Sequence, residues 1–220
     1  MTLYDTIVIG AGPGGMTAAM YAARSELKVL LLERGAPGGQ MNNTAEVENY
    51  PGFATIMGPE LSMKMFEPLE ELGVESAYGI VQNVTVNSEG IKQVITEDEV
   101  YEARTVIIAT GAQHRHLNVP GEAEYGARGV SYCAVCDGAF FRNQDILVVG
   151  GGDSAVEEAL FLTRFGSSVT ILHRRDELRA QKIIQERAYS NEKISFIWDS
   201  AVEEVLGNDM KITGVRIKNL

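Results

Sequence analysis

Two short glycine-rich turns constrain this 220-residue chain more than any other feature: Gly10-Ala11-Gly12-Pro13-Gly14-Gly15 and Gly150-Gly151-Gly152-Asp153-Ser154-Ala155. Each stands between an apolar run and a segment of helical periodicity. Thr6-Ile7-Val8-Ile9 precedes the first and reads as a buried strand, and an Ala/Met-rich helix follows it towards Arg24. Lys28 to Leu32 is a second strand, ending at Glu33. The later turn repeats this order, with a strand at Asp145 to Val149, a helix from Ser154 to about Arg164 and a strand at Ser168 to Leu172. The repeat predicts an α/β chain with two Rossmann-like, three-layer ββα dinucleotide-binding domains.

Each copy continues into short alternating strands. In the first, Ile80 to Val86 and Ile91 to Thr96 flank a turn at Ser88-Glu89-Gly90, and the chain returns through Thr105 to Thr110. In the second, Ile194 to Trp198, Ala201 to Leu206 and Ile212 to Ile217 read as the start of the same meander. Between Gly35 and Glu60 lies a polar segment without periodicity, of the kind that lines a ligand. Pro59 to Gly73 predicts a helix broken near Pro68, with Met57, Met63 and Met65 as core filler. These elements divide the chain into residues 1–114 and residues 115–220.

The chemistry of the turns follows from geometry. Gly10 permits the sharp turn, Gly12 lets backbone approach a pyrophosphate, and Gly15 lets the helix pack on the strand, so that the helix N-terminus faces the anion. Glu33, about 20 residues on, can accept hydrogen bonds from ribose hydroxyls. The second turn ends in Ala155, and its following strand ends in His173-Arg174-Arg175, with Arg179 one helical turn further on. An acid repels a 2′-phosphate whereas guanidinium groups bind it, so NADPH is expected over NADH. Ala109-Thr110-Gly111 closes the strand Val106-Ile107-Ile108, a signature of FAD-binding reductases, which assigns FAD to residues 1–114 and NADPH to residues 115–220. A flavin and a nicotinamide on one chain point to hydride transfer between them.

The net charge of −11 and pI of about 4.8 argue against nucleic acid or an anionic membrane as partner. Basic side chains collect between Arg164 and Arg187, a patch suited to one phosphate. With no basic, apolar leader at Met1-Thr2-Leu3 and no apolar run near the roughly 20 residues that span a bilayer, the expected compartment is the cytoplasm. In that reducing setting the two cysteines, Cys133 and Cys136, read as redox-active or as metal ligands. Zinc would need further ligands, and His114, His116 and His173 form no ligand pattern. A thioredoxin-type motif would need its own βαβ context. A dithiol exchanging electrons with a flavin remains.

Together these segments resemble low-molecular-weight bacterial thioredoxin reductases, class II pyridine nucleotide-disulfide oxidoreductases. The resemblance rests on GAGPGG at Gly10 to Gly15, PGGQM at Pro37 to Met41, VENYPG at Val47 to Gly52 and IIATGA at Ile107 to Ala112. It continues through CAVCDG at Cys133 to Gly138, GGGDSAVEEA at Gly150 to Ala159 and HRRDELRAQK at His173 to Lys182. It implies a homodimer acting on thioredoxin, each protomer with an FAD domain interrupted by an inserted NADPH domain.

Carried over by resemblance, the FAD side comprises Gly10, Gly12, Pro13, Gly14, Gly15, Glu33 and Arg34. It also includes Gly39, Gln40, Asn49, Val84, Ala109, Thr110 and Gly111. The NADPH side comprises Gly151, Gly152, Asp153, Ser154, Ala155, Glu158, His173, Arg174, Arg175 and Arg179. Cys136 faces the flavin, Cys133 attacks the thioredoxin disulfide, and Asp137 carries the proton. Asp137 as a simple N-cap is the alternative. The resemblance also implies a rotating NADPH domain hinged near Leu117 to Gly121.

Two other readings stay open. One is a flavin-dependent dithiol oxidase of the same fold. The other is an inactive nucleotide-binding fragment, because aligning Val94 with Val215 places the counterpart of Gly111 beyond Leu220. The resemblance expects a further strand and helix there, with a GD motif against the flavin, and so expects weak FAD binding without them.

Overall fold

The structure, a computed structural model, describes residues 2–126, 128–208 and 210–220. It forms two compact units, one closing at Gln113 and one opening at His114.

The first unit runs β1 (Leu3–Ile9), α1 (Pro13–Arg24), β2 (Val29–Glu33), a 3-10 turn at Gly39–Asn43, α2 (Gly58–Glu71), β3 (Glu75–Tyr78), β4 (Val81–Val86), β5 (Lys92–Thr96) and β6 (Val100–Ile108). The strands are ordered β3-β2-β1-β6-β5-β4, with β3, β2, β1 and β6 parallel and the remaining pairs antiparallel. Side chains alternate across a strand, so one face of β1 and β2 presents Val8, Val29 and Leu31 to Met16 and Ala19 of α1 and Leu69 of α2. The other face presents Ile7, Ile9, Leu30 and Leu32, which share a core with Val94 of β5 and Ala103 of β6. The antiparallel half therefore folds over the second face, making three layers. Burial on both faces explains the unbroken apolar run of β2.

Three local expectations are corrected here. β6 begins at Val100, not Thr105, and ends at Ile108, because residues 100–103 pair with β5 before 102–108 pair with β1. α2 is not broken at Pro68: the missing N–H deprives only the Lys64 carbonyl, and both residues are exposed, which leaves that carbonyl on the solvent side of the helix. Met57 and Met63 are 57% and 73% exposed, and only Met65 of the three packs against the core.

The second unit runs α3 (Ala134–Asp137), a 3-10 turn at Gly138–Phe141, β7 (Asp145–Val149), α4 (Asp153–Leu162), β8 (Ser168–Leu172), α5 (Lys182–Tyr189), β9 (Ile194–Ile197), β10 (Ser200–Gly207) and β11 (Ile212–Asn219). β7, β8 and β9 are parallel, and Val156 and Ala159 of α4 with Ile184 of α5 bury Val148, Val169 and Ile171. β9 is thus the third parallel strand, the counterpart of β3, and not part of the meander; only the separate β10–β11 hairpin occupies that place.

The segment before the cysteines is held from within. Glu122, 6% exposed, accepts the N–H groups of Leu117 at 2.7 Å and Asn118 at 2.6 Å, and the hydroxyl of Tyr132. His116 Nδ1 lies 2.9 Å from that hydroxyl, and His114 stacks on the Tyr132 ring at 4.1 Å. Burial pushes the Glu122 carboxyl up, but these hydrogen bonds and His116 outweigh it and hold it below the ordinary range. A lowered carboxyl contributes stability above its unfolded pKa and loses it as pH falls through the folded value. Glu122→Gln should therefore cost about 1–3 kcal/mol at pH 7. The gap to the native protein should shrink on acidification, as read by denaturant unfolding at several pH values.

Candidate functional site

At the first glycine turn, a Cβ on Gly15 would lie 1.7 Å from the Gly10 carbonyl oxygen, and one on Gly10, at φ +102°, would lie 2.4 Å from the Ala109 oxygen. Helix and strand approach too closely for any other residue. At Gly12 and Gly14 a Cβ would meet nothing within 4 Å, so neither glycine is required by the protein's own packing. The N-cap of α1 is Gly12, which brings no side chain to the helix start. There opens a cleft of about 840 Å³, lined in part by Gly10, Gly12, Pro13, Glu33 and Arg34. Gly39, Gln40, Val84, Ala109, Thr110 and Gly111 line it further. Asn49, on an exposed loop, and Gly14 and Gly15 do not.

Glu33 Oε2 accepts the Ala11 N–H at 2.7 Å and Oε1 accepts the Gly35 N–H at 3.0 Å, so the carboxylate also braces the turn. Its remaining lone pairs stay available to hydroxyls. Unspent N–H groups at a helix start, a glycine with room beside it and a carboxylate at the rim fit an adenine dinucleotide. The volume lies in the range of cofactor pockets.

The second turn has the same division of labour. Gly150, at φ +151°, leaves no room for a Cβ, which would meet Ala155 Cβ at 2.8 Å; one on Gly151 would meet the His173 ring at 2.6 Å. Gly152, the N-cap of α4, faces open space. Residues 173–181 are not helical, which corrects the helical-turn spacing expected for Arg179. They form a loop anchored by buried Leu178 and Ala180 and tied to the turn by two bonds: Arg179 N–H to the Gly151 carbonyl at 2.6 Å, and Gln181 N–H to Asp153 Oδ1 at 2.7 Å.

This brings exposed Arg174, Arg175 and Arg179 around buried His173. Burial first, and then the three guanidinium charges, push the His173 pKa down, so its ring is neutral at pH 7. On α4, Ser154 is exposed, and Glu158 is held above the ordinary carboxyl range by burial and by Glu157. An uncapped helix start beside three exposed guanidinium groups fits a nucleotide carrying an extra phosphate.

Cys133 and Cys136 form a disulfide. Cys133 caps α3, its Sγ accepting the Cys136 N–H at 3.1 Å, and its carbonyl accepts the Asp137 N–H at 3.1 Å. Cys133 is half-buried and Cys136 exposed. Asp137 stands at the N-cap of the 3-10 turn but makes no side-chain capping bond there; its Oδ2 instead accepts the Ser131 hydroxyl at 2.6 Å. Ser131, Tyr132 and Glu122 were outside the motifs. Ser131 alone left a trace in the sequence, a hydroxyl two residues before Cys133, the spacing of a side-chain turn.

Residues 4–219 match the model of the pyridine nucleotide-disulphide oxidoreductase family. The chain belongs to that family. Its relatives include a thioredoxin reductase of Listeria monocytogenes, 58% identical over 98% of this chain and 67% of that protein. One of Bacillus subtilis is 56% identical over 98% of this chain and 68% of its own length. A solved thioredoxin reductase of Lactococcus lactis superposes with a TM-score of 0.96 at 70% identity, covering 98% of this chain and 71% of that one. No helix among the described residues is long and apolar enough to cross a membrane.

Gly152→Val, which meets no protein atom at Cβ, should leave the melting temperature unchanged and weaken NADPH binding about tenfold or more, measured by titration. Gly15→Ala should instead destabilise the fold by about 1–3 kcal/mol or more, measured by unfolding.

Proposed function

We propose that this chain carries out NADPH-dependent reduction of the thioredoxin disulfide, through FAD held by residues 1–114 and the Cys133–Cys136 pair of the NADPH-binding residues 115–220. The observation that supports it most is the contrast between otherwise matching turns: Glu33 beside the first, Arg174, Arg175 and Arg179 beside the second. When bound, the nicotinamide supplies a hydride and the flavin passes its two electrons to a disulfide.

Arg174, Arg175 and Arg179 take the 2′-phosphate, and the Gly151–Ser154 turn takes the pyrophosphate at the start of α4. Neutral His173 packs the turn without adding charge. Glu33 and the Ala109-Thr110-Gly111 strand end take the ribose and flavin side. Two electrons arriving at Cys136 break the Sγ–Sγ bond, and two protons taken up with them leave a dithiol. Asp137 takes the proton of the Cys133 thiol, the thiolate attacks one sulfur of the thioredoxin disulfide to form a mixed disulfide, and Asp137 hands that proton to the displaced sulfur. Cys136 then attacks Cys133 Sγ, its proton passing to the thioredoxin sulfur it displaces, which restores the pair and releases reduced thioredoxin.

The relatives act under the name thioredoxin reductase, and the dithiol cycle suits a reducing cytoplasm. We extend the reading to a homodimer of such chains. The arginine loop disfavours an oxygen-driven dithiol oxidase, which needs no 2′-phosphate site.

Cys133→Ser and Cys136→Ser should each abolish thioredoxin-dependent NADPH oxidation while NADPH still bleaches the flavin. Arg174→Ala/Arg175→Ala should raise KM for NADPH about tenfold per arginine and leave KM for NADH unchanged. Equal use of NADH by the native protein, or dithiol oxidation by oxygen at the same rate without NADPH, would contradict the proposal.

A further inference from the structure

Ser131 belongs to none of the nucleotide or cysteine motifs, yet its hydroxyl stands at the centre of the redox loop. Its Oγ accepts the Cys133 N–H at 3.1 Å and lies 2.6 Å from Asp137 Oδ2. The Cys133 carbonyl, at 3.3 Å, is the other acceptor within reach. A serine hydroxyl has one proton to donate, and the shorter, charge-assisted contact to the carboxylate takes it. The oxygen's lone pairs meanwhile hold the backbone of Cys133. One atom thus joins the amide of the cysteine that attacks thioredoxin to the carboxylate that takes the Cys133 proton and hands it to the departing sulfur. The next residue, Tyr132, is bound to buried Glu122, so the backbone that carries the serine is itself anchored.

We propose that Ser131 is a positioning residue of the thiol–disulfide step, holding Asp137 by Oδ2 in a fixed place relative to Cys133 and leaving Oδ1 to exchange the proton. A half-buried aspartate without that bond still has several rotamers open to it, only some of which bring an oxygen to the displaced sulfur. A hydroxyl on a short, anchored side chain removes that freedom at the atom that matters. The inference rests on the reading of Asp137 as the proton carrier.

The test is transient and steady-state kinetics on the flavin-loaded enzyme with Ser131→Ala, Ser131→Thr, Asp137→Asn and the double variant Ser131→Ala/Asp137→Asn. Ser131→Ala should lower kcat for thioredoxin about fivefold to tenfold, part of the roughly hundredfold that a placed acid–base group contributes. KM for thioredoxin and the rate of flavin reduction by NADPH should not change. Ser131→Thr, which keeps the hydroxyl, should restore kcat. The double variant should be no slower than Asp137→Asn alone, because Ser131 acts only through Asp137. Native kcat in Ser131→Ala, or losses that multiply in the double variant, would overturn the role of Ser131 while leaving that of Asp137 intact. Native kcat in Asp137→Asn would overturn the proton-carrying role, and this inference with it.

Discussion

The close approach of a helix to the strand before it governs both units. Gly15 sits where a Cβ would reach 1.7 Å from the Gly10 carbonyl oxygen, and Gly150 where one would reach 2.8 Å from Ala155. That contact draws α1 down onto β1 and α4 onto β7, and so aims the first N–H groups of each helix just past the end of its strand. The parallel order β3-β2-β1 follows from such crossings through α1 and α2, since a strand followed by a helix packed on its sheet returns parallel, and β6 joins β1 after the antiparallel run through β4 and β5. The glycines with empty space beside them, Gly12 and Gly152, are left with a reason outside the protein. Their emptiness fits a phosphate, and the packed glycines hold it in place.

On this shared frame the two units diverge by one element of charge. In the first, the strand after the helix ends in Glu33, whose oxygens also bind the N–H groups of Ala11 and Gly35, so the same carboxylate shapes the turn and faces the cleft. In the second, a nonhelical loop folds back on the turn through the Arg179 N–H and brings three guanidinium groups around a neutral histidine. In a chain of net charge −11 such a cluster has an anion as its natural counterpart. The redox pair has no part in either arrangement. It rests on a hydroxyl, a carboxylate and a buried glutamate in the segment just before the second unit's first parallel strand.

Sequence was most informative where a backbone demand is local. Gly10, Gly15 and Gly150 are readable because the turn geometry admits almost nothing else, and Cys133 and Cys136 because their spacing limits the chemistry. It was least informative where a role depends on distant neighbours. β3 is short and mostly exposed, and its pairing with β2 is what makes it a strand. β9 looked like part of the meander because its parallel partner, β8, lies on the other side of a helix in the sequence. The continuity of α2 through Pro68 depends on which face meets water. Met63 shows the limit of composition: an apolar residue on a solvent-facing turn of a helix leaves no mark that distinguishes it from core. Glu122 and Tyr132 belong to no motif, and their pairing exists only once the fold brings the two together.

The most direct test of the account counts thiols through one cycle. Flavin-loaded protein is treated without oxygen with a defined amount of NADPH, and part is quenched with an alkylating agent for peptide mass spectrometry. An excess of oxidised thioredoxin is then added and the rest is quenched. The account predicts alkylation of both Cys133 and Cys136 after NADPH, and its disappearance after thioredoxin, with matching thiols gained on thioredoxin. A disulfide that survives NADPH while the flavin is reduced, or thiols that persist in the presence of excess oxidised thioredoxin, would contradict it.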